Sequence, residues 1–318
     1  MKDNFYKDVE IALERIQKII RRTPLQFSPS LSEESEAEVF LKLENYQVTG
    51  SFKARGASNK LMLLSEENPK KIITASSGNH GSAVAYAAGI LNLDTLIFLP
   101  ESVSPAKLNK IKYLGADFKI EGETSGDAET AGRLYAEKHN LPFLSPYNDY
   151  DVIVGQGTTA AEAYEQMQSI DVVLVCVGGG GLISGIGGYL KQKNSNTKVI
   201  ACSPAHSAAM HYALQAGYII DINHLDTLSD GSAGALERGS ITFDYCQSIV
   251  DQSILVSENE IASAMKSFMD SHQMMIEGAA GTAVAGFIKL KQHLKGKRVL
   301  IIICGANISM DKIKEIIA

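Results

Sequence analysis

Tryptophan is absent from this 318-residue chain, and cysteine and proline are sparse, at four and eight residues. Cys176, Cys202, Cys246 and Cys304 lie far apart and form no C-x-x-C pair, which argues against a zinc ribbon or a disulfide framework and fits a reducing compartment. No run approaches the ~20 apolar residues that a membrane-spanning helix needs. Asp3, Asp8, Glu10 and Glu14 interrupt the N-terminus where a signal peptide would be uncharged, so a cytoplasmic protein is expected. Blocks of like charge are missing too. Thirty basic against 36 acidic side chains leave a net charge of −6, which makes nucleic acid and anionic membrane poor partners.

What is present is the composition of a folded protein, 45% apolar and 21% charged. At roughly 150 residues per domain the length suits two domains. An amphipathic helix with Val9, Leu13, Ile16 and Ile20 at helical spacing opens the chain. Short β-branched runs then alternate with helical patterns: strands are expected at 39–43, 71–74, 95–99, 117–120, 172–177, 198–202 and 299–304, and helices at 82–88, 105–113, 126–138, 158–168 and 182–191. A capping box, Ser257 with Glu260, marks another helix start. This rhythm predicts an α/β fold with parallel-rich sheets. No Gly-, Pro- or Ser-rich linker or internal repeat divides the chain, so the two domains are expected to interleave, 1–52 with 148–318 as the larger and 53–147 inserted as the smaller.

Ligands of open α/β sheets bind beyond the carboxyl ends of strands, and three segments there carry chemistry. Gly178, Gly179, Gly180 and Gly181 follow a strand and open a helix, where unobstructed amides can bind an anion. The dinucleotide fingerprint fails at Ile183 and Ser184, and the Walker pattern fails at Ile186, leaving a single phosphate or a plain tight turn. Ser76-Ser77-Gly78-Asn79-His80-Gly81 sits at a similar junction and could hold a carboxylate, or simply cap its helix. In Thr49-Gly50-Ser51-Phe52-Lys53-Ala54-Arg55-Gly56 a lone lysine follows an aromatic residue. Most lysines are solvated surface charges, but one in a partly desolvated pocket can become a Schiff-base nucleophile.

Together these segments resemble the fold type II pyridoxal phosphate enzymes, in particular the serine/threonine dehydratase family with its serine racemase-like branch. The likeness extends to Gly155-Gln156-Gly157-Thr158 with Glu162, Asp230-Gly231, Glu277-Gly278-Ala279-Ala280 and Cys304-Gly305-Ala306-Asn307, where the family usually ends in S-G-G-N. The resemblance implies that Lys53 binds the cofactor aldehyde and later serves as base at the substrate α-carbon. It implies that Phe52 packs on the pyridine ring and that Asn79 bonds its 3-hydroxyl. Gly178, Gly179, Gly180, Gly181 and Leu182 would cradle the phosphate, with Glu277 and Cys304 completing the cofactor site and Cys304 facing the ring nitrogen. Ser76, Ser77, Gly78, Asn79 and His80 would bind the substrate carboxylate, with Ser77 also a catalytic candidate.

The expected activity is dehydration of L-threonine or L-serine to the 2-oxo acid and ammonia, acting on a free amino acid, in a chain expected to form a homo-oligomer. The alternatives are a serine racemase, a lyase for another β-hydroxy amino acid such as 3-hydroxyaspartate, or a binding protein that kept the fold; intact Lys53 and Asn79 argue against the last. No metal is expected. Cation-binding relatives carry Glu before the proline of Ser203-Pro204-Ala205-His206, and His206 and His211 do not share a helix face. Ending at Ala318, the chain is expected to lack the regulatory domain of biosynthetic threonine dehydratases. Replacing Gly180 by a bulky residue is expected to weaken cofactor retention while sparing the fold.

Overall fold

The run Val172–Cys176 is buried at every residue, as a strand covered on both faces must be, and it lies inside the larger of two sheets. The structure, a computed structural model, describes residues 2–317. Among these residues the strands are β1 (Leu25–Phe27), β2 (Glu38–Leu43), β3 (Ile72–Ala75), β4 (Thr95–Leu99), β5 (Asp117–Ile120), β6 (Val172–Cys176), β7 (Lys198–Pro204), β8 (Gln252–Val256) and β9 (Arg298–Ile303). The larger sheet has the order β1-β2-β9-β6-β7-β8 and is parallel except for β1 against β2. The smaller sheet, β3-β4-β5, is parallel throughout, and Phe143 adds a bridge to Ile73.

All seven strands expected from the sequence form, within a residue or two of their bounds. The missed pair have physical excuses. β1 is a three-residue edge strand with little burial, and β8 opens with Gln252 and Ser253, which blur its apolar pattern. The first helix, Phe5–Ile16, stops before Ile20, although Ile20 is still buried. The capping box is formed in full: the Glu260 amide donates to Ser257 Oγ at 3.3 Å and the Ser257 amide to Glu260 Oε2 at 2.7 Å.

The consequential miss is the helix Lys53–Glu66, which starts inside a segment that reads as a turn. Its Ala54, Ala57, Leu61 and Leu64 recur at helical spacing and are buried, but Gly56 breaks the helical signature. Gly56 is there because another helix, Tyr150–Met167, passes against it. A Cβ at Gly56 would lie 2.8 Å from the Val152 carbonyl, and one at Gly155 would lie 2.7 Å from the Gly56 Cα. The paired glycines let two backbones approach closely enough to fix where the Lys53 helix begins.

Candidate active site

Two backbone pairings gather the site. The segment before Lys53 runs beside the end of β9: Ser51 bridges Gly305, the Phe52 amide donates to the Cys304 carbonyl at 3.0 Å, and the Ala306 amide donates to the Gly50 carbonyl at 2.9 Å. Because β9 is hydrogen-bonded to β6, the same neighbourhood receives the glycine loop that follows β6 and opens the helix Gly181–Lys193. Three segments distant in sequence thus meet beyond the carboxyl ends of adjacent strands.

Lys53 is partly buried, and its Nζ donates to the Pro146 carbonyl at 2.8 Å, 5.3 Å from the Phe52 ring centroid. Loss of solvent pulls its amine down to about 8, against the opposing pull of Cys304 and Glu277. Glu277 is buried and pushed up to about 7, first by burial, although the Asn79 amide donates to its two oxygens at 2.9 and 3.1 Å and the Asn307 amide donates at 3.0 Å. Burial likewise keeps the Cys304 thiol protonated, its Sγ 4.0 Å from Glu277.

Asn79 Oδ1 accepts from Asn307 Nδ2 at 2.6 Å. Asn307 Oδ1 in turn accepts from Lys110, which also donates to the Thr49 carbonyl. Thr49 holds a φ of +63°, a strained setting for a β-branched residue. Lys110 escaped the sequence reading and Thr49 entered it without a role, because nothing local distinguishes a lysine on an amphipathic helix or a threonine in a turn.

The segment 76–79 is partly buried beyond β3, where Ser76 Oγ accepts from the Gly78 amide at 3.2 Å. Ser77 does not cap the following helix: the N-cap position is Gly78, and no side chain caps it. His80 differs from its neighbours. Its ring turns inward to Thr74 Oγ1 and the Leu144 carbonyl, and burial pulls it down to about 3, leaving it neutral, with the nearby Lys53 charge acting in the same direction.

All four glycines of the loop are pressed by protein. A Cβ at Gly178 would meet the Ser232 carbonyl at 2.4 Å, and one at Gly179 the Tyr147 ring at 2.5 Å. Gly180 sits at φ +85° with Met210 Cε 2.7 Å from its Cβ direction, while Gly181 abuts Tyr147. This corrects the expectation for Gly180. A bulky side chain there would strain the backbone and collide with the core, so such a variant would report on folding as well as on cofactor retention.

Arg55 and Glu162, known from the sequence only as motif members, form a separate buried cluster. Arg55 is fully buried and donates to both oxygens of Glu44 at 2.7 and 2.8 Å and to both of Glu162 at 2.8 Å. Lys42 Nζ reaches Glu162 at 2.7 Å. Near Ser203 the side chains have other partners: Ser207 bonds His224, His206 meets the Asp226 carbonyl, and His211 bonds Ser253. No group of three potential metal ligands occurs among the described residues, and no helix among them is long and apolar enough to cross a membrane.

An anion cradle of backbone amides, a desolvated amine, an aromatic wall and a neutral thiol gathered beyond parallel strands mark a cofactor enzyme of the α/β class. The chain matches the model of the pyridoxal-phosphate dependent enzyme family over residues 16–305 and belongs to that family. It is 38% identical over 312 residues to the L-threonine ammonia-lyase of Thermotoga maritima, covering 98% of this chain and 77% of the relative. Among solved structures, the processed form of threonine deaminase isoform 2 from Solanum lycopersicum superposes with a TM-score of 0.94 at 33% identity, covering 99% of this chain and 93% of that one. Maize serine racemase superposes with a TM-score of 0.91 at 29% identity, covering 98% and 95%.

The residues present fit pyridoxal phosphate. The close-packed glycine loop stands at a helix N-terminus, a setting whose backbone amides suit a phosphate. Among the described residues no carboxylate pairs with the Lys53 amine to neutralise it.

Proposed function

We propose that this chain is a pyridoxal phosphate-dependent ammonia-lyase that dehydrates L-threonine or L-serine to the 2-oxo acid and ammonia. The observation that carries the reading is the Lys53 amine, drawn down to about 8 and held at 2.8 Å by a carbonyl. The likeness to the Thermotoga lyase and the tomato deaminase supports the choice of reaction.

Pyridoxal phosphate, when bound, supplies an aldehyde for the amine and a conjugated ring that draws electrons from the substrate α-carbon. Lys53 would hold the aldehyde until the substrate amine displaces it, and the freed Nζ would then take the α-proton. Gly178, Gly179, Gly180, Gly181 and Leu182 hold the phosphate through their amides, Phe52 lines the ring, and Asn79, oriented by Glu277 and Asn307, bonds the 3-hydroxyl. The hydroxyls and amides of 76–79, with the His80 amide, hold the substrate carboxylate. Cys304 faces the ring nitrogen with a neutral thiol, which cannot keep that nitrogen protonated. With the α-proton on Lys53 and the electron sink weakened in this way, transfer of that proton to the β-hydroxyl, which leaves as water, is favoured over its return to carbon, and hydrolysis of the released enamine gives the 2-oxo acid and ammonia.

The reading includes the interleaved domains, 1–52 with 148–318 and 53–147. Its support is that every strand of the larger sheet falls in the first two stretches and every strand of the smaller in the third. It also includes a cytoplasmic homo-oligomer that needs no divalent cation. Fractionation, light scattering and survival of activity in chelator test those parts.

A racemase reading is favoured by one observation, that the Ser77 hydroxyl is not spent on capping the helix it precedes. The deciding assay follows oxo-acid release and chirality with L- and D-threonine and L- and D-serine, joined to borohydride reduction and peptide mapping. Oxo acid from the L-substrates and label on Lys53 are expected. Label on another lysine, or racemisation outrunning elimination, overturns the reading.

A further inference from the structure

Lys53 and the glycine loop are linked by four consecutive residues, 145–148. Pro146 supplies the carbonyl that holds Lys53 Nζ at 2.8 Å. Tyr147 lies against the loop, its ring 2.5 Å from where a Gly179 Cβ would be and its own Cβ 3.0 Å from that of Gly181. A shift of this segment moves the lysine's partner and the loop's support together.

One residue outside the segment grips it twice. The Glu237 backbone amide donates to the Tyr147 hydroxyl at 3.0 Å, and Glu237 Oε2 accepts from Asn148 Nδ2 at 2.8 Å. Its remaining oxygen, Oε1, accepts from Arg133 Nη2 at 2.7 Å. Arg133 belongs to the helix Ser125–His139 that flanks the smaller sheet. It is itself fixed, by Glu129 at 2.7 and 3.0 Å and by the Phe143 ring 4.3 Å away. Phe143 in turn bridges β3.

We propose that Glu237 is a positioning residue, which holds segment 145–148 against Lys53 and the glycine loop and ties that hold, through Arg133, to the smaller sheet. This inference rests on the reading of Lys53 and the loop as the cofactor site. Loose charge decoration would not place one residue's backbone and side chain on adjacent members of the same four-residue segment. The Arg133 pair steadies Glu237 and hence the segment, so it acts on cofactor retention and substrate binding more than on the proton-transfer step.

The test uses holoenzyme carrying Glu237→Gln, which keeps an acceptor for Asn148 but drops the charge toward Arg133, then Arg133→Met, then both. With a partly exposed ion pair at stake, each single variant should raise KM and the rate of cofactor loss about threefold, with kcat little changed. The double variant should go no further, since both changes cut one link. A fall in melting temperature with KM and cofactor loss unmoved makes Glu237 merely structural and overturns the inference. So do effects that multiply in the double variant. Borohydride mapping of the native holoenzyme separates the levels: label on Lys53 with an inert Glu237→Gln sinks only this inference, whereas label elsewhere sinks the cofactor-site reading along with it.

Discussion

Lys53 and Arg55 are two residues apart on one helix, and their charges are handled in opposite ways. Around Arg55, two cations and two carboxylates are buried together, and Glu44 and Glu162 each accept from more than one donor. Burial alone would raise the Glu162 carboxyl, but Arg55 and Lys42 outweigh it and hold the group below the usual carboxylate range. Among the described residues no carboxylate comes within ion-pair distance of Lys53 and no cation salt-bridges Glu277, so burial pulls the amine down to about 8 and pushes the carboxyl up to about 7. Compensated charge fixes a helix in place. Uncompensated charge leaves groups that can exchange protons near neutral pH.

The strongest way to break this contrast is to truncate both residues. Lys53→Ala should cost oxo-acid release about a thousandfold or more, as removal of a covalent nucleophile does, and should abolish cofactor absorbance with circular dichroism unchanged. Arg55→Met should cost about 3–5 kcal/mol of stability by stranding two buried carboxylates, measured by denaturant unfolding of the apo-protein. A stable Arg55→Met with an unfolded Lys53→Ala would reverse the assignment.

Sequence made one member of this contrast legible and hid the other. Lys53 stood out because an aromatic residue precedes it, and the glycine run because four bare residues after an apolar strand are rare. Arg55 and Glu162 were motif members without a role, since their partners Glu44 and Lys42 lie outside any motif and only the fold brings them together. Strands such as β6 and β9 were readable because parallel strands buried on both faces are apolar, whereas β5, with Asp117 and Lys119, was readable from its place in the alternation. The Lys53 helix was not, because Gly56, which lets the helix Tyr150–Met167 come close, also weakens the helical signature. The bareness of the glycine loop was read as room for phosphate, but Tyr147, Ser232 and Met210 also demand it, and those contacts have no signature in the sequence.

Titration sharpens the contrast at intermediate size. The neutral amine is the form that captures an aldehyde, so the rate of cofactor capture by apo-protein should rise as pH passes about 8. A rate still climbing with a midpoint above pH 10 would mean that Lys53 is not desolvated. For Glu277 the sign is opposite. Burial pushes its folded carboxyl up to about 7 against an ordinary 4.5, so between those values the folded state binds more protons and stability falls as pH rises. Glu277→Gln should remove that fall, read as the difference in unfolding midpoint between pH 5 and pH 8. An unchanged difference would place the ionisation elsewhere.

The smallest expected effect concerns Ser77, which tests whether the uncompensated region supplies a proton from both faces of the substrate. Elimination needs one base at the α-carbon, whereas racemisation needs a second acid or base on the opposite face. In the reading proposed here Lys53 serves one face, and the Ser77 hydroxyl is the candidate for the other because it does not cap its helix. Burial holds His80 neutral, and its ring is turned toward Thr74, so the imidazole does not activate Ser77 and the hydroxyl remains a weak acid. Slow formation of D-serine alongside dominant oxo-acid release is therefore expected from L-serine. Ser77→Ala should abolish the D-serine while leaving oxo-acid release within about a few-fold of native, because losing one neutral hydrogen bond to the carboxylate is worth roughly 0.5–1.5 kcal/mol. Chiral chromatography of unreacted serine is the measurement. Equal D-serine from both proteins would leave Lys53 as the single proton-handling group of the site and remove Ser77 from the chemistry.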